Sequence, residues 1–528
     1  MRTCALLFLA ACAASAQQQQ KPPPLPRPSE KEKPQSPPDE TPPRPGGEKE
    51  PPPSEDDLQK LKWDMTELAP VVTRHQSGKL RYTATAGRLP IKDPSGAIEA
   101  EMFFVAYTLD GAEAAKRPLM FAFNGGPGSA SIWLHMGALG PRKVVLEKEG
   151  WMPDQPYRLG DNPASALDKA DLVLIDAIGA GYSRPADMKK GKKFWGVKGD
   201  SHAFGEFIRL YLSRYQRWPS PLYILGESYG TTRAAEVAGF LADRGITFKG
   251  IILLSMVLDF ETLETTRSND LAYVLTLPTY AMIAQYHRKA PAAKQEEVVR
   301  WALTDYATML ARGDALTGQE RQDAIAQVAR YTGLKPEIVD LVNLRPDVQV
   351  FTKWLLADQK LLVGRLDGRY TGGAPQQFFE TRFHDPAMIA ISAPITAVFN
   401  DYVRTTLGYA TDLPYYTSAT QLSTAGDFQF WRKWEWGNAI EGFPDTATSL
   451  RAAMVKNPYL KIMVMEGIYD LATPFAAAEY TMNHLDLPQA LRKNVSIASY
   501  DSGHMVYVRD EMLTKFHDDV ARFIGTIR

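Results

Sequence analysis

Cysteine is nearly absent from this chain. Its 528 residues hold two, Cys4 and Cys12, both at the extreme N-terminus. A folded body built from the rest can contain no disulfide, no thiolate metal site and no cysteine nucleophile. A chain this long can rely on its core alone. An excess of charge is also missing: 60 Lys and Arg against 61 Asp and Glu leave −1. That excludes a general attraction to nucleic acid or to an anionic membrane. The local cluster Lys189-Lys190-Gly191-Lys192-Lys193 reads as a solvated loop. The apolar run Ala5 to Ala11 is too short to span a bilayer as a helix. Histidine is scarce, at eight residues, which narrows any search for a base. Otherwise the composition is that of an ordinary globular protein, 45% hydrophobic and 23% charged.

The first sixty residues read as a leader and a spacer. Arg2, the run Ala5 to Ala11 and the small-x-small site Ala14-Ser15-Ala16 make residues 1–16 an export signal, cleaved before Gln17. Leu9-Ala10-Ala11-Cys12 supports a competing reading as a bacterial lipobox, with Cys12 the lipidated first residue. The expectation is therefore an exported protein, either periplasmic or secreted, or anchored to a membrane through Cys12. Residues 17–57 are a Gln, Pro, Glu and Lys tract that cannot bury enough apolar surface to fold, and read as a disordered Pro-rich linker.

Order begins near Trp63. Residues 80–107 alternate as an antiparallel pair does. Short continuous apolar runs follow at Leu119–Phe123, Leu172–Ile175, Leu222–Leu225, Ile251–Leu254, Ile462–Met465 and Val495–Ala498. Such runs suit strands covered on both faces, and helical patterns at 202–216 and 231–244 lie between them. The succession predicts an α/β fold with a mostly parallel central sheet flanked by helices. The core is expected at 58–257 and 451–528. Between them, 258–450 reads as a mostly helical insertion capping the sheet's active edge, with Gln295 to Arg312 and Glu320 to Tyr331 as helices.

The strongest chemical signal is Gly226-Glu227-Ser228-Tyr229-Gly230, between the strand run ending at Leu225 and the helix-compatible stretch Thr231–Leu241. A strand, a Gly-x-Ser-x-Gly turn and a helix form a nucleophile elbow, with the serine hydroxyl exposed at its tip. Such a serine needs a base, and the base an orienting acid, in the chain order Ser, Asp or Glu, His. Of the later histidines, His504 follows a strand run, His517 reads as lying on a solvated helix face, and His287 and His384 lie in the insertion. His504 is the expected base. Asp470, in the loop after Lys461–Met465, is the expected acid, with Glu466 the runner-up and Asp501 disfavoured by its closeness to His504. Asn124-Gly125-Gly126-Pro127-Gly128 follows another strand run and offers backbone N–H donors for an oxyanion hole, with the Tyr229 N–H the second donor.

Together these motifs resemble the serine carboxypeptidases of the α/β-hydrolase superfamily, over roughly residues 80–525. The resemblance rests on Asn124–Gly128, Gly226–Gly230, Asp470 in a Gly-x-x-Asp setting and Gly503-His504, in the family's order, with Gly179-Ala180-Gly181-Tyr182-Ser183 a further family-like segment. It implies Ser228 as nucleophile, His504 as base and Asp470 as its orienter. It also implies the N–H groups of Gly126 and Tyr229 as oxyanion hole, and Asn124, Gly125 and Glu227 around the substrate's terminal carboxylate. No cofactor and no metal is implied, and the partner is a peptide with a free C-terminus. Two positions depart from the family. Ser129 replaces a usual cysteine, and Ala138 replaces a glutamate that ordinarily pairs with the one before the nucleophile. An unpartnered Glu227 carboxylate would repel a substrate carboxylate, so His135 or Arg142 is expected to compensate.

The reading is thus a serine carboxypeptidase working through an acyl-enzyme. The alternatives are a serine esterase or acyltransferase on the same fold, and a stalked envelope binding protein with a vestigial site. The cluster Trp431, Trp434 and Trp436 is read as packing the insertion on the core.

Overall fold

The computed structural model describes residues 62–373, 385–422, 434–437 and 442–526. The leader, the Pro-rich linker, Cys12, His384 and Trp431 lie outside the described residues.

Strands that read as apolar runs assemble into one large sheet. They are β1 (Val71–Ser77), β2 (Leu80–Lys92), β3 (Ile98–Leu109), β4 (Leu119–Phe123), β5 (Asp171–Ile175), β6 (Leu222–Glu227), β7 (Gly250–Leu254), β8 (Lys461–Gly467) and β9 (Val495–Tyr500). Their spatial order is β1-β2-β3-β5-β4-β6-β7-β8-β9, and a short tenth strand, Arg184–Pro185, pairs with β3. The first three run antiparallel, and from β5 to β9 every pairing is parallel. The four central strands β5, β4, β6 and β7 are buried along their whole length. That is why they lack the in–out alternation seen at residues 80–107.

Helices cover both faces. On one lie α1 (Val197–Arg214) and α2 (Tyr229–Ala242), whose Phe204, Phe207, Ala234 and Ala238 pack on Phe121, Ile224 and Leu253. On the other, α8 (Asp510–Thr526) packs Leu513, Phe516 and Val520 against Met120, Leu225 and Met465. This is the α/β-hydrolase fold, a mostly parallel sheet between helices. The stretch between β7 and β8 is mostly helical. It includes α3 (Leu271–Tyr286), α4 (Gly318–Thr332), α5 (Pro386–Asp401) and α6 (Ala447–Lys456), and α3 and α4 share an apolar cluster of their own around Leu277, Tyr280 and Val328. The predicted helix over 295–312 is three consecutive helical pieces, Gln295–Trp301, Ala302–Tyr306 and Ala307–Arg312. A further helix, α7 (Phe475–Asn483), follows β8. The basic cluster is not a plain loop. Asp187 caps a helical turn, Met188–Gly191, by accepting the Lys190 N–H at 2.7 Å, and Lys193 pairs with Glu99. Among the described residues no helix is long and apolar enough to cross a membrane.

Two of the buried acidic side chains on the sheet are served differently. Asp171, opening β5, accepts from Arg117 and Arg217, each at 2.7 Å, tying the β4 and β6 approaches together. Removing one partner of such a buried set costs about 3–5 kcal/mol. Glu466 on β8 is less well served. Ser499 donates to Oε1 at 3.0 Å, while buried Oε2 has no partner. Burial and nearby Glu479 push its carboxyl up to about 8. A carboxyl held above its unfolded value binds its proton more tightly in the folded state. Its contribution is complete below about pH 4.5 and is lost as pH rises through 8. Glu466→Gln should therefore melt higher than wild type at pH 8.5, by about 2 °C or more, with little difference at pH 4.5, in thermal unfolding followed by circular dichroism.

Candidate active site

The site forms at the carboxyl ends of β4, β6, β8 and β9. Ser228, directly after β6, has φ 60° and ψ −132°, a conformation that side-chain-bearing residues adopt only when their surroundings enforce it. Its N–H donates to the Leu254 carbonyl at 2.9 Å, and its own carbonyl accepts from Thr231 at 2.8 Å. The hydroxyl does not cap α2 and no hydrogen bond joins it to His504, and the residue stays half-buried. Catalytic serine–histidine bonds often tighten only with substrate in place.

The loop after β4 packs directly on this turn. A Cβ at Gly125 would fall 2.6 Å from the Glu227 carbonyl oxygen and 2.5 Å from the Gly230 nitrogen, so no larger residue fits. Gly126 has φ 104° and is exposed. Among the described residues its N–H and that of Tyr229, the first residue of α2, have no acceptor in the protein. Free N–H groups at a helix start beside a glycine loop can receive developing negative charge. The loop is fixed from behind. Buried Arg233 donates to the Asn124 carbonyl and to Asp200, both at 2.7 Å. Ser129 takes the Trp133 indole N–H at 3.1 Å. The Gly179–Ser183 segment braces the same region: Ser183 bonds the Phe103 N–H and the Asp176 carbonyl, and Asp176 accepts from the Ser131 N–H at 2.8 Å.

Asp470 is fully buried and accepts four bonds. These come from the Ala472 N–H (2.7 Å), the Thr473 N–H (3.1 Å), the Thr473 hydroxyl (2.6 Å) and His504 Nδ1 (2.7 Å). With Nδ1–H committed to a carboxylate, Nε2 is left as the basic nitrogen. Burial works against the imidazolium, but the charge and hydrogen bond of Asp470, with Glu227 nearby, prevail and raise His504 above its ordinary value. Glu466, the runner-up acid, points to Ser499, and exposed Asp501 lies away from the imidazole Nδ1.

Sequence reasoning misses what holds the histidine loop. A strap within the insertion, Gly364–Tyr370, crosses both catalytic loops. His504 N–H donates to the Leu366 carbonyl at 2.6 Å and Gly503 N–H to Asp367 Oδ2 at 3.0 Å. Arg369 pairs with Asp367 at 2.6 Å and donates to the Asp501 carbonyl at 2.8 Å. On the acid's side, the Leu471 N–H donates to the Arg365 carbonyl and the Gly368 N–H to the Tyr469 carbonyl. His287 in turn bonds the Gly368 carbonyl at 2.7 Å, a structural task. The contacts between the strap and the two loops join segments more than a hundred residues apart, and no local pattern announces them.

Glu227 is buried, and burial pushes it up to about 7 against the lowering effects of His504, Tyr507 and Asn124. The expected compensators are not beside it. His135 is buried, held neutral with its value down to about 3, and bonds the Tyr107 hydroxyl at 2.7 Å. Arg142 pairs with Asp161 at 3.0 Å. Instead Tyr507 donates to Glu227 Oε2 at 2.8 Å. The Asn124 side chain is oriented by the Leu134 N–H on its Oδ1 (3.0 Å), and its amide acts on both Glu227 and Tyr507. His517 is not fully solvated either: it is partly buried between Asp168 and Asp518 on α8, raised in pKa by both, and remote in role from the site. Trp434 and Trp436 stack edge-on against Tyr229, as packing residues would. Among the described residues no group of three or more His, Cys, Asp or Glu is placed to hold a metal ion.

Part of the chain resembles a known family, and the fold resembles a solved structure. The crystal structure of Kex1ΔP, a prohormone-processing carboxypeptidase from Saccharomyces cerevisiae, shares the fold at 16% identity and a TM-score of 0.52, covering 84% of this chain and 92% of that one. Esterase E22 aligns at 11% identity and a TM-score of 0.37, over 84% and 99% of the two chains. Residues 77–262, about a third of the chain, match the model of the serine carboxypeptidase family. That segment contains the glycine loop and the elbow; Asp470 and His504 lie beyond it. A serine carboxypeptidase segment on an α/β-hydrolase fold supports a serine-type carboxypeptidase, a hydrolase.

Proposed function

We propose that the protein removes C-terminal residues from peptides through a Ser228-His504-Asp470 acyl-enzyme mechanism. The observation that carries this is the buried Asp470–His504 pair, 2.7 Å apart, at the same sheet edge as the strained Ser228 turn. Ser228 Oγ attacks the carbonyl carbon of the last peptide bond, and His504 Nε2 takes the hydroxyl proton. The Gly126 and Tyr229 N–H groups receive the oxyanion. His504 returns the proton to the leaving amine as the C–N bond breaks, leaving an ester on Ser228. Water, deprotonated by His504, attacks that ester; the proton passes back to Ser228 Oγ and the shortened peptide leaves as an acid. Asn124, Gly125 and Glu227 face the terminal carboxylate of the substrate.

A second reading, an esterase or acyltransferase with the same machinery, is favoured by one observation. No arginine or lysine is among the groups acting on Glu227, so above about pH 7 its charge disfavours an anionic substrate and leaves neutral esters unaffected. We also propose export through residues 1–16 and a spacer over 17–57, with Cys12 the site of any lipid.

Three measurements test these readings. With N-blocked dipeptides at pH 6, cleavage should require a free rather than amidated C-terminus, and Ser228→Ala should lower kcat by at least about 10³-fold. Equal cleavage of both substrates moves the assignment to the esterase. Arg369→Ala, which loosens the strap over His504, should lower kcat about tenfold with KM little changed, and Arg369→Lys should restore part of it. Intact mass of the exported protein should show a first residue of Gln17, or a diacylglyceryl-modified Cys12; an unprocessed Met1 rules out both routes.

A further inference from the structure

The turn after His504 brings Tyr507 back beneath the nucleophile. Its ring lies against Gly137, where a Cβ would come within 2.7 Å of ring atom Cε2, and beside buried Ala138. Its hydroxyl donates to Glu227 Oε2, and both side chains are almost wholly buried, at 1% and 2% exposure. A phenol at these pH values is a donor, and burial raises Tyr507 further from ionisation. A donor on Oε2 is accepted best by the carbonyl oxygen of a protonated carboxyl, which favours the acid proton on Oε1.

The groups facing Glu227 are few. His504 and Asp470 come from the loops after β9 and β8, Asn124 from the loop after β4, and Tyr507 from the turn leading to α8. None carries a permanent positive charge. A substrate carboxylate arriving here meets either a negative Glu227, which repels it, or a neutral one, which can donate.

The geometry points to Tyr507 as a specificity-determining positioning residue: by occupying Oε2 it turns the Oε1 hydroxyl of neutral Glu227 towards the free C-terminal carboxylate of the peptide. This rests on the carboxypeptidase reading and gives it a chemical basis where the side chains acting on Glu227 are His504, Tyr507, Asn124 and Asp470. Burial, which holds Glu227 up to about 7, keeps the neutral form populated in mildly acid and neutral solution. Tyr507 also has an opposing effect, because its hydrogen bond favours the ionised form. Loss of the phenol hydroxyl therefore has two separable consequences. The neutral carboxyl loses its orientation, and the pH at which it ionises moves up.

The test is KM for a free-acid dipeptide from pH 5 to 9 in wild type, Tyr507→Phe and Glu227→Gln, beside the methyl ester of the same dipeptide. In wild type, KM for the acid should rise as pH passes about 7, and the ester's should not. In Tyr507→Phe, KM for the acid should be severalfold higher at pH 5, and the midpoint of its rise should shift upward by about one pH unit. In Glu227→Gln, which keeps a donor but cannot ionise, the rise should disappear. The protonated-carboxyl infrared band of Glu227, assigned by its loss in Glu227→Gln, follows the same titration without substrate and should shift with KM. A midpoint unmoved in Tyr507→Phe by both methods overturns the proposal, as does an equal fall in kcat for acid and ester with KM unchanged. A wild type that shows no preference for the free acid at any pH, while its infrared midpoint shifts in Tyr507→Phe, overturns the carboxypeptidase reading and leaves the Tyr507–Glu227 bond intact.

Discussion

The site depends on one steric constraint: the glycine loop after β4 must lie directly on the elbow after β6. At Gly125 even a methyl group would meet the Glu227 carbonyl oxygen and the Gly230 nitrogen inside contact distance. Only at that separation can N–H groups from two different strands address the same oxygen. The contact also requires neighbouring parallel strands, and β4 and β6 are neighbours, with Phe123 in register with Gly226. What presses the two turns together is buried on both sides. Arg233 holds the Asn124 carbonyl from one side, and the Ser131–Asp176 bond holds the loop's far end. The φ of 60° at Ser228 is maintained by these surroundings, since an isolated serine would relax from it.

The histidine is positioned differently. Ser228 is fixed by the strand that carries it, whereas His504 sits in a loop, and a loop needs external support. The insertion supplies it. Leu366 and Asp367 bond the backbone on either side of the Gly503–His504 peptide, and the tight approach at Gly503, where a Cβ would lie 2.6 Å from the Asp367 Cα, leaves no slack. Asp385, at the start of α5, holds the strap in turn by accepting from the Arg365 and Leu366 N–H groups at 2.7 and 2.8 Å. The insertion is thus a structural support of the His504 loop. Asp470 receives its orientation from its own loop through Ala472 and Thr473, and the strap reaches its neighbours through backbone bonds and through Arg369, whose guanidinium lies 4.9 Å from the Tyr469 ring centre.

What could be read in the sequence follows from range. The central strands were legible because strands buried on both faces must be continuously apolar. The elbow and the glycine loop were legible because tight turns demand glycine at fixed offsets. Asp470 and His504 could be placed because loops at the carboxyl ends of such strands carry the chemistry. The partner of Glu227 could not. Arg142 and His135 stand close to the elbow's neighbours in the chain, but Arg142 is drawn to Asp161, and His135 is buried among Tyr107 and Tyr402. Tyr507, 280 positions away, meets Glu227 only because the turn after β9 folds under β6. Asp367 and Arg369 were hidden for the same reason. The partner of Glu227 was sought in a charge, while the fold supplies a hydroxyl.

The Glu227–Tyr507 arrangement also bears on how the base works. Proposed catalysis requires a neutral His504 and, for an anionic substrate, a protonated Glu227. One proton shared between them can instead sit as imidazolium and carboxylate. Each group favours the other's charged form, since His504 lowers Glu227 and Glu227 raises His504. The balance between the two forms therefore belongs to the pair. The charge and hydrogen bond of Asp470 favour the imidazolium, and the Tyr507 hydroxyl favours the Glu227 carboxylate. Burial favours the neutral form, because a zwitterion in a dry pocket loses the hydration of two charges at once. Burial does most to keep Glu227 neutral, and the charge of nearby Asp470 adds to it. On the carboxypeptidase reading, a substrate that closes off water would favour the neutral pair, a free imidazole beside a protonated Glu227, over the zwitterion.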